Sequence, residues 1–216
     1  SICFSVFKPY FILILGSNGQ LGRTFQKISK NYPYEFVFCD SKMVDITNLE
    51  QTNTFLHSQP SFDVVINCAA YTKVDQSEEE QDLALNANAH ALKNLINSLD
   101  EKTVFIHYST DYVFDGKGHK PYSEQDPVNP VNYYGFTKLK GEEIIVNSNK
   151  PNTFIIRTSW VYAPFGSNFV QTILRLSKSG NPLRIVSDQI GTPTYTFDLA
   201  HFTLDYLIPS RSEQPR

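Results

Sequence analysis

A doubly wound α/β fold, with helices on both faces of a parallel sheet, is what this 216-residue chain predicts. Two observations carry the prediction. Short apolar runs rich in β-branched and aromatic residues alternate with longer segments of helical period, and a glycine-rich turn leads from the first run directly into the first helix. The predicted strands are residues 10–15, 35–39, 63–67, 103–109 and 153–158. Strands that are apolar almost throughout suit a parallel sheet covered on both sides, and their alternation with helices implies β-α-β crossovers.

The helices follow from spacing. Residues 20–29 place Leu21, Phe25 and Ile28 on one face, and residues 83–99 do the same with Leu85, Leu92, Leu95, Ile96 and Leu99. Thr47 and Glu50 have capping-box spacing and open a helix running to about residue 58. Residues 115–130, rich in Gly, Pro and Asn, form a long loop of the kind that often carries function.

Composition narrows the class. The chain is 41% hydrophobic and 13% aromatic with a formal net charge of -3, and its Lys and Arg residues are scattered, so a folded protein that binds no nucleic acid is expected. The apolar residues 4–7 and 10–15 are separated by Lys8 and Pro9 and are too short for a membrane span, so no membrane association is expected. Cys3, Cys39 and Cys68 show no metal-ligand spacing, suiting a reducing, cytoplasmic setting with no metal residues to name. The chain opens on Ser1 and its polar residues 209–216 close without an evident final element, so a truncated end is expected.

The glycine turn reads Gly16-Ser17-Asn18-Gly19-Gln20-Leu21-Gly22. Without Cβ atoms, backbone N–H groups can approach a pyrophosphate, and the following helix N-terminus adds partial positive charge. The competing reading is an ordinary strand-to-helix turn. The G-x-x-G-x-x-G spacing resembles the fingerprint of extended short-chain dehydrogenases and makes residues 1–165 an NAD(P)-binding Rossmann domain. Asp40 closes the second strand where an acid meets the adenosine ribose, which favours NADH; Lys42 is near enough to soften repulsion of a 2'-phosphate, so NADPH stays open. A plain turn role for Asp40 is the alternative.

The fourth strand delivers Ser109 and Thr110 to the carboxyl edge of the sheet, where ligands of such folds bind. After the long loop a helix begins near Tyr133, placing Tyr134 and Lys138 four residues apart on one face; Tyr133 points elsewhere. Carbonyl reduction needs a hydride and a proton. Tyr134 can give the proton, with the Lys138 ammonium expected to lower its pKa and Thr110 to bond the carbonyl oxygen. Exposed helix residues with no chemistry are the bland alternative, since Y-x-x-x-K arises easily by chance.

Gly16 to Gly22, Asn67 to Asp75, Ser109 to Gly116, Asn129 to Lys140, Arg157 to Tyr162 and Asp188 to Thr194 together resemble the dTDP-4-dehydrorhamnose reductase family over residues 11–207. The resemblance implies reduction of dTDP-4-dehydro-β-L-rhamnose at C4 to dTDP-β-L-rhamnose. It implies that Tyr134 donates the proton, Lys138 holds the nicotinamide ribose and Thr110 tunes the carbonyl. Asp111 and Trp160 would contact the sugar nucleotide. Gly19, Gln20 and Leu21 would line the pyrophosphate, Asp40 the ribose, Asp45 and Ile46 the adenine side, and Ala70, Tyr71, Thr72 and Tyr108 the rest of the cofactor. It further implies a homodimer, Mg2+ by resemblance alone, and a substrate lobe of which residues 166–216 are a partial, truncated piece. As bland alternatives, Trp160 is core, Asp45 caps a helix and Ala70 permits close packing.

Two rivals remain. A nucleotide-sugar epimerase shares the scaffold; a dehydratase does not fit, because Asp111 is followed by Tyr112 where relatives carry an acid. The other is a non-catalytic dinucleotide-binding subunit similar to the regulatory β subunit of methionine adenosyltransferase, against which the complete Thr110, Tyr134 and Lys138 set argues.

Overall fold

The computed structural model describes residues 8–178, 180, 182, 185 and 189–208. Cys3, the apolar residues 4–7, Asp188 and the polar residues 209–216 lie outside the described residues. Five parallel strands, β1 (Phe11–Leu15), β2 (Glu35–Cys39), β3 (Val64–Asn67), β4 (Val104–Thr110) and β5 (Thr153–Thr158), form one sheet in the order β2-β1-β3-β4-β5. The chain leaves β1 for β2 on one side and returns to β3 on the other. That reversal opens a crevice at the carboxyl ends of β1 and β3, the switch point at which such sheets bind ligands.

Strand period sorts the core into two layers. Ile12, Ile14, Val64, Ile66, Val104, Ile106 and Tyr108 face helix α1 (Gln20–Ile28), which buries Leu21, Phe25 and Ile28, and helix α7 (Thr196–Phe202), which buries Leu199 and Ala200. The alternate residues Leu13, Leu15, Val65 and Phe105 face α2 (Leu49–Ser58), α4 (Ala91–Ser98) and α5 (Tyr133–Asn147). Both sheet faces are thereby dry, as the near-continuous apolar strands require. Each fully buried Leu, Ile or Phe contributes about 1.5–3 kcal/mol.

Two local expectations are corrected. The capping residue of α2 is Asn48, not Thr47: the Asn48 side chain accepts from the Gln51 N–H at 3.0 Å, while the Thr47 N–H and hydroxyl both donate to Asp45 Oδ1. Asp45 thus draws Thr47 into a turn and leaves the cap to the next side chain that can reach. The long helix near 83–99 is two helices, α3 (Gln81–Leu85) and α4, joined by a wide π-type turn over Asn86–His90 that turns Asn88 and Ala89 inward.

After β5 the chain forms a small parallel pair, β6 (Val161–Tyr162) with β7 (Thr194–Tyr195), and helix α6 (Phe169–Ser177), which buries no residue. Helix α7 then returns beneath the sheet, where Tyr108 and Thr203 hydroxyls meet at 2.7 Å and Thr24 meets Thr196 at 2.8 Å.

Gly22 is required by packing. A Cβ there would lie 2.3 Å from the Gly16 carbonyl oxygen and 2.6 Å from Ser17 Cα, both backbone atoms that cannot step aside. Gly22→Ala is expected to cost about 1–3 kcal/mol, read as a lower urea midpoint with an unchanged slope; an unchanged midpoint contradicts this packing.

Candidate active site

A cleft of about 330 Å³ opens at the switch point, lined by Gly16, Gly19, Asp40, Asp45, Ile46 and Ala70 among others. Those six are residues that the sequence pattern and the resemblance assigned to a dinucleotide. Gly16, at φ +73°, lets the chain turn against Ala69, whose backbone N would lie 2.5 Å from an added Cβ. Gly19 differs: an added Cβ would approach only the Gly16 oxygen, at 3.4 Å. Packing within the protein therefore does not demand glycine there, whereas a ligand pressed against the turn would.

Gly19 is also the N-cap of α1, whose first turn has no acidic residue and no side-chain cap. The free N–H groups and the helix dipole suit a phosphate. Asp40 sits across the cleft with one oxygen accepting from the Lys42 and Met43 N–H groups, and the other accepting from Asn18 Nδ2 at 2.5 Å. The Lys42 backbone bond, first among these, holds the carboxyl below the usual range, so the cleft carries a full negative charge at its Asp40 end.

The remaining assigned residues lie around this cleft or behind it. Leu21 packs in the core and Gln20 Oε1 accepts from Asn168 Nδ2 at 2.8 Å, tying α1 to the segment before α6. The Tyr71 phenol donates to Glu80 at 2.6 Å and Thr72 is exposed. The Tyr108 side chain lies in the layer facing α7, so what it turns toward the helix α5 side is its carbonyl oxygen, 2.6 Å from Lys138 Nζ. Trp160 adopts φ +48°, packs edge-on against Phe169 at 4.7 Å and stands against Gly191, where a Cβ would meet its Nε1 at 2.2 Å.

At the end of β4, Thr110 is 5% exposed and its hydroxyl is a junction: it accepts from the Tyr112 N–H, donates to Asp111 Oδ1 at 3.2 Å and lies near enough to the Tyr134 phenol to favour its ionised form. Asn132 caps α5 by accepting from the Gly135 N–H at 2.7 Å, and a Cβ on Gly135 would lie 2.2 Å from the Tyr112 carbonyl oxygen. This close approach brings Tyr134 against the β4 edge, its ring 5.8 Å from that of Tyr112. Thr110 and Tyr134 are thus brought together. The Tyr133 N–H instead bonds Glu78, and its ring packs on Phe136.

The expected acidity of Tyr134 is corrected. Burial pushes the phenol up to about 12, aided by the charge of Asp111 and by Tyr112 and opposed by the nearby Thr110 hydroxyl. Lys138, 2% exposed, does not offset this, because its amine is turned to the Tyr108 carbonyl and, at 3.2 Å, to His107 Nε2; burial pulls its pKa down to about 8. The phenol therefore holds its proton at neutral pH, the state a proton donor needs. Asp111 is shifted up by burial as well.

Sequence reasoning gave no role to several side chains that hold the site. Asn88 accepts from the Tyr71 N–H, donates to the Tyr71 carbonyl and donates to the Thr137 hydroxyl. Glu142, on α5, pairs with Arg157 of β5 at 2.7 Å, and the Arg157 guanidinium lies over Phe114. Asn88 left no sequence signal beyond a polar residue on an apolar helical face.

Comparisons with known proteins come from sequence and from structure. The family model described as RmlD substrate binding domain matches residues 10–215. The spore coat polysaccharide biosynthesis protein SpsK of Bacillus subtilis (strain 168) is 46% identical over 191 residues, 88% of this chain and 66% of that protein. A dTDP-4-dehydrorhamnose reductase of Aggregatibacter actinomycetemcomitans is 41% identical over 88% of this chain and 64% of its own length. The chain thus spans just under two thirds of these curated relatives. A crystal structure of dTDP-4-dehydrorhamnose reductase from Bacillus anthracis in complex with NADP superposes with a TM-score of 0.87 at 37% identity, covering 93% of this chain and 71% of that one.

Removing the Asn88 amide leaves the Tyr71 N–H and carbonyl without their partner, while the Thr137 hydroxyl keeps its bond to the Tyr134 carbonyl. Asn88→Ala is expected to lower stability by about 2–3 kcal/mol, measured by urea denaturation; a loss below about 0.5 kcal/mol, the scale of an ordinary surface change, would show that water replaces it.

Proposed function

We propose that this chain, which belongs to the RmlD substrate binding domain family, reduces dTDP-4-dehydro-β-L-rhamnose at C4 to dTDP-β-L-rhamnose with hydride from NADH or NADPH. The observation that carries the reading is the placement of Thr110 and Tyr134 together at the sheet edge, where Thr110 favours the ionised phenol, next to a cleft that suits a dinucleotide. The names of the relatives supply the sugar nucleotide.

The residues present fit a dinucleotide. Gly19 leaves open a space that the protein does not fill, and the uncapped N-terminus of α1 faces it. Gly16, Gly22, Gln20 and Leu21 shape the turn; Asp40 takes the ribose, Asp45 and Ile46 the adenine side, and Ala70, Tyr71, Thr72 and Tyr108 the remainder. When bound, the nicotinamide supplies the hydride. Lys138 holds its ribose. Asp40 favours NADH, while the NADP held by the Bacillus anthracis relative keeps NADPH in the proposal.

On the substrate side, Thr110 bonds the C4 carbonyl oxygen and draws off charge as it becomes an alkoxide. Tyr134 gives that oxygen its proton, which the buried phenol retains at neutral pH. Asp111 and Trp160 contact the sugar nucleotide, and residues 166–216 form part of the region that encloses it. Asp111, desolvated beside Thr110, is a hydrogen-bonding partner suited to sugar hydroxyls. Among the described residues no group of His, Cys, Asp and Glu could hold a metal ion, so no residue is assigned to Mg2+. Among the same residues no helix is long and apolar enough to cross a membrane. A homodimer and a cytoplasmic setting complete the proposal on family likeness.

The test is loss of reduced nicotinamide absorbance with enzymatically prepared dTDP-4-dehydrorhamnose. Tyr134→Phe is expected to lower kcat by about 10²–10⁴-fold while leaving dinucleotide affinity near that of the parent. Turnover of the parent without net oxidation of the cofactor would favour an epimerase, and unchanged turnover in Tyr134→Phe would remove Tyr134 as the proton donor.

A further inference from the structure

His107 has no part in the reduction as described, yet it is 1% exposed and its imidazole meets the amine of Lys138, which does. It projects from β4 toward α5, with Nδ1 3.1 Å from Asn67 Nδ2 and Nε2 3.2 Å from Lys138 Nζ. Asn67 is not free to rotate. Its Oδ1 accepts from the Ala69 N–H at 3.1 Å, in the stretch that packs against Gly16 at the cleft. The amide NH2 is therefore the end presented to the imidazole.

Counting protons around this chain leaves one consistent arrangement. His107 Nδ1 faces a donor and must accept, so a neutral imidazole carries its proton on Nε2, directed at Lys138. Lys138 Nζ also lies 2.6 Å from the Tyr108 carbonyl oxygen, which can only accept. A neutral amine satisfies both neighbours, accepting from Nε2–H and donating to Tyr108. An ammonium has no lone pair for Nε2–H. Moving the imidazole proton to Nδ1 sets it against the Asn67 NH2, turning Asn67 over sets that NH2 against the Ala69 N–H, and an imidazolium faces donors on both sides. Each of these leaves a buried N–H without an acceptor.

We propose that His107, oriented by Asn67, is a positioning residue that docks Lys138 as a neutral amine, and that protonation by water reaching the cleft frees the amine from the imidazole toward Tyr134. This deepens the reductase reading and rests on it. The other charged or titratable neighbours fit. Glu142, on the same helix, favours the ammonium but is itself paired with Arg157 of β5, and burial outweighs it; Tyr134 on that helix and Asp111 beyond β4 lie on the cleft side; and Asn88 and Thr137, at the contact with the π-type turn, are uncharged. Burial acts in the same direction, pulling Lys138 down to about 8 and keeping His107 neutral. The ammonium that would acidify Tyr134 is thus withheld in the docked position and supplied in the released one.

The test uses the cofactor-free protein. Two-bond ¹⁵N–¹H correlation of labelled histidine at about pH 9, above the value near 8 to which burial pulls Lys138, is expected to show His107 as the Nε2–H tautomer, and the Lys138 ¹³Cε signal is expected to titrate below an exposed lysine. Asn67→Asp offers the imidazole an acceptor in place of a donor. The proton should move to Nδ1, Nε2 should accept from the ammonium, and the Lys138 midpoint should rise by at least about one pH unit. An Nδ1–H tautomer in the parent overturns the proposal, as does an unmoved Lys138 midpoint in folded Asn67→Asp. If that variant does not fold, the parent tautomer decides alone. Absence of nicotinamide oxidation would remove the reductase reading and leave the tautomer result standing.

Discussion

The contact between Gly135 and Tyr112 fixes the geometry on which the rest depends. Because no Cβ intervenes, the first turn of α5 settles directly on the carbonyl of the turn that follows β4. Asn132 secures that turn by capping the Gly135 N–H, and Tyr134, one residue before the contact, is thereby held against Thr110. The helix is further tied by Glu142 to Arg157 on β5 and by Thr137 to Asn88. A loop as long as the one between β4 and α5 could not position two side chains by itself; the backbone contact at its far end does so.

Burial then governs the chemistry more than the pairing of Tyr134 with Lys138. The spacing of four residues places both on one helical face, but a face is not a contact. The lysine reaches past the tyrosine to the end of β4, where a carbonyl and an imidazole receive it. The phenol, desolvated and near Asp111, keeps its proton. For a reduction this is the useful resting state, since the proton is to be given and not taken.

Much of this was legible in the sequence because it rests on local pattern. Short apolar, β-rich runs located the five strands and period-3.6 spacing located helix α1, all to within about one residue, and the glycine turn between β1 and α1 identified the cleft. What escaped depended on partners distant along the chain. Asn88 serves Tyr71 and Thr137, and His107 meets Asn67 and Lys138, through bonds that no spacing rule encodes. The cap of α2 was misassigned because Thr47 and Asn48 are both good capping residues, and Asp45 decided between them. Three glycines of one motif also proved unequal: Gly16 and Gly22 are demanded by packing, while Gly19 guards open space.

The most direct measurement is the steady-state reduction of dTDP-4-dehydrorhamnose by Gly135→Ala, with folding verified by circular dichroism. The added methyl must push α5 from the Tyr112 carbonyl and part Tyr134 from Thr110, so kcat should fall by at least about tenfold, or about 1.4 kcal/mol in the barrier. A folded Gly135→Ala protein with the parent kcat would contradict the dependence of the site on that contact.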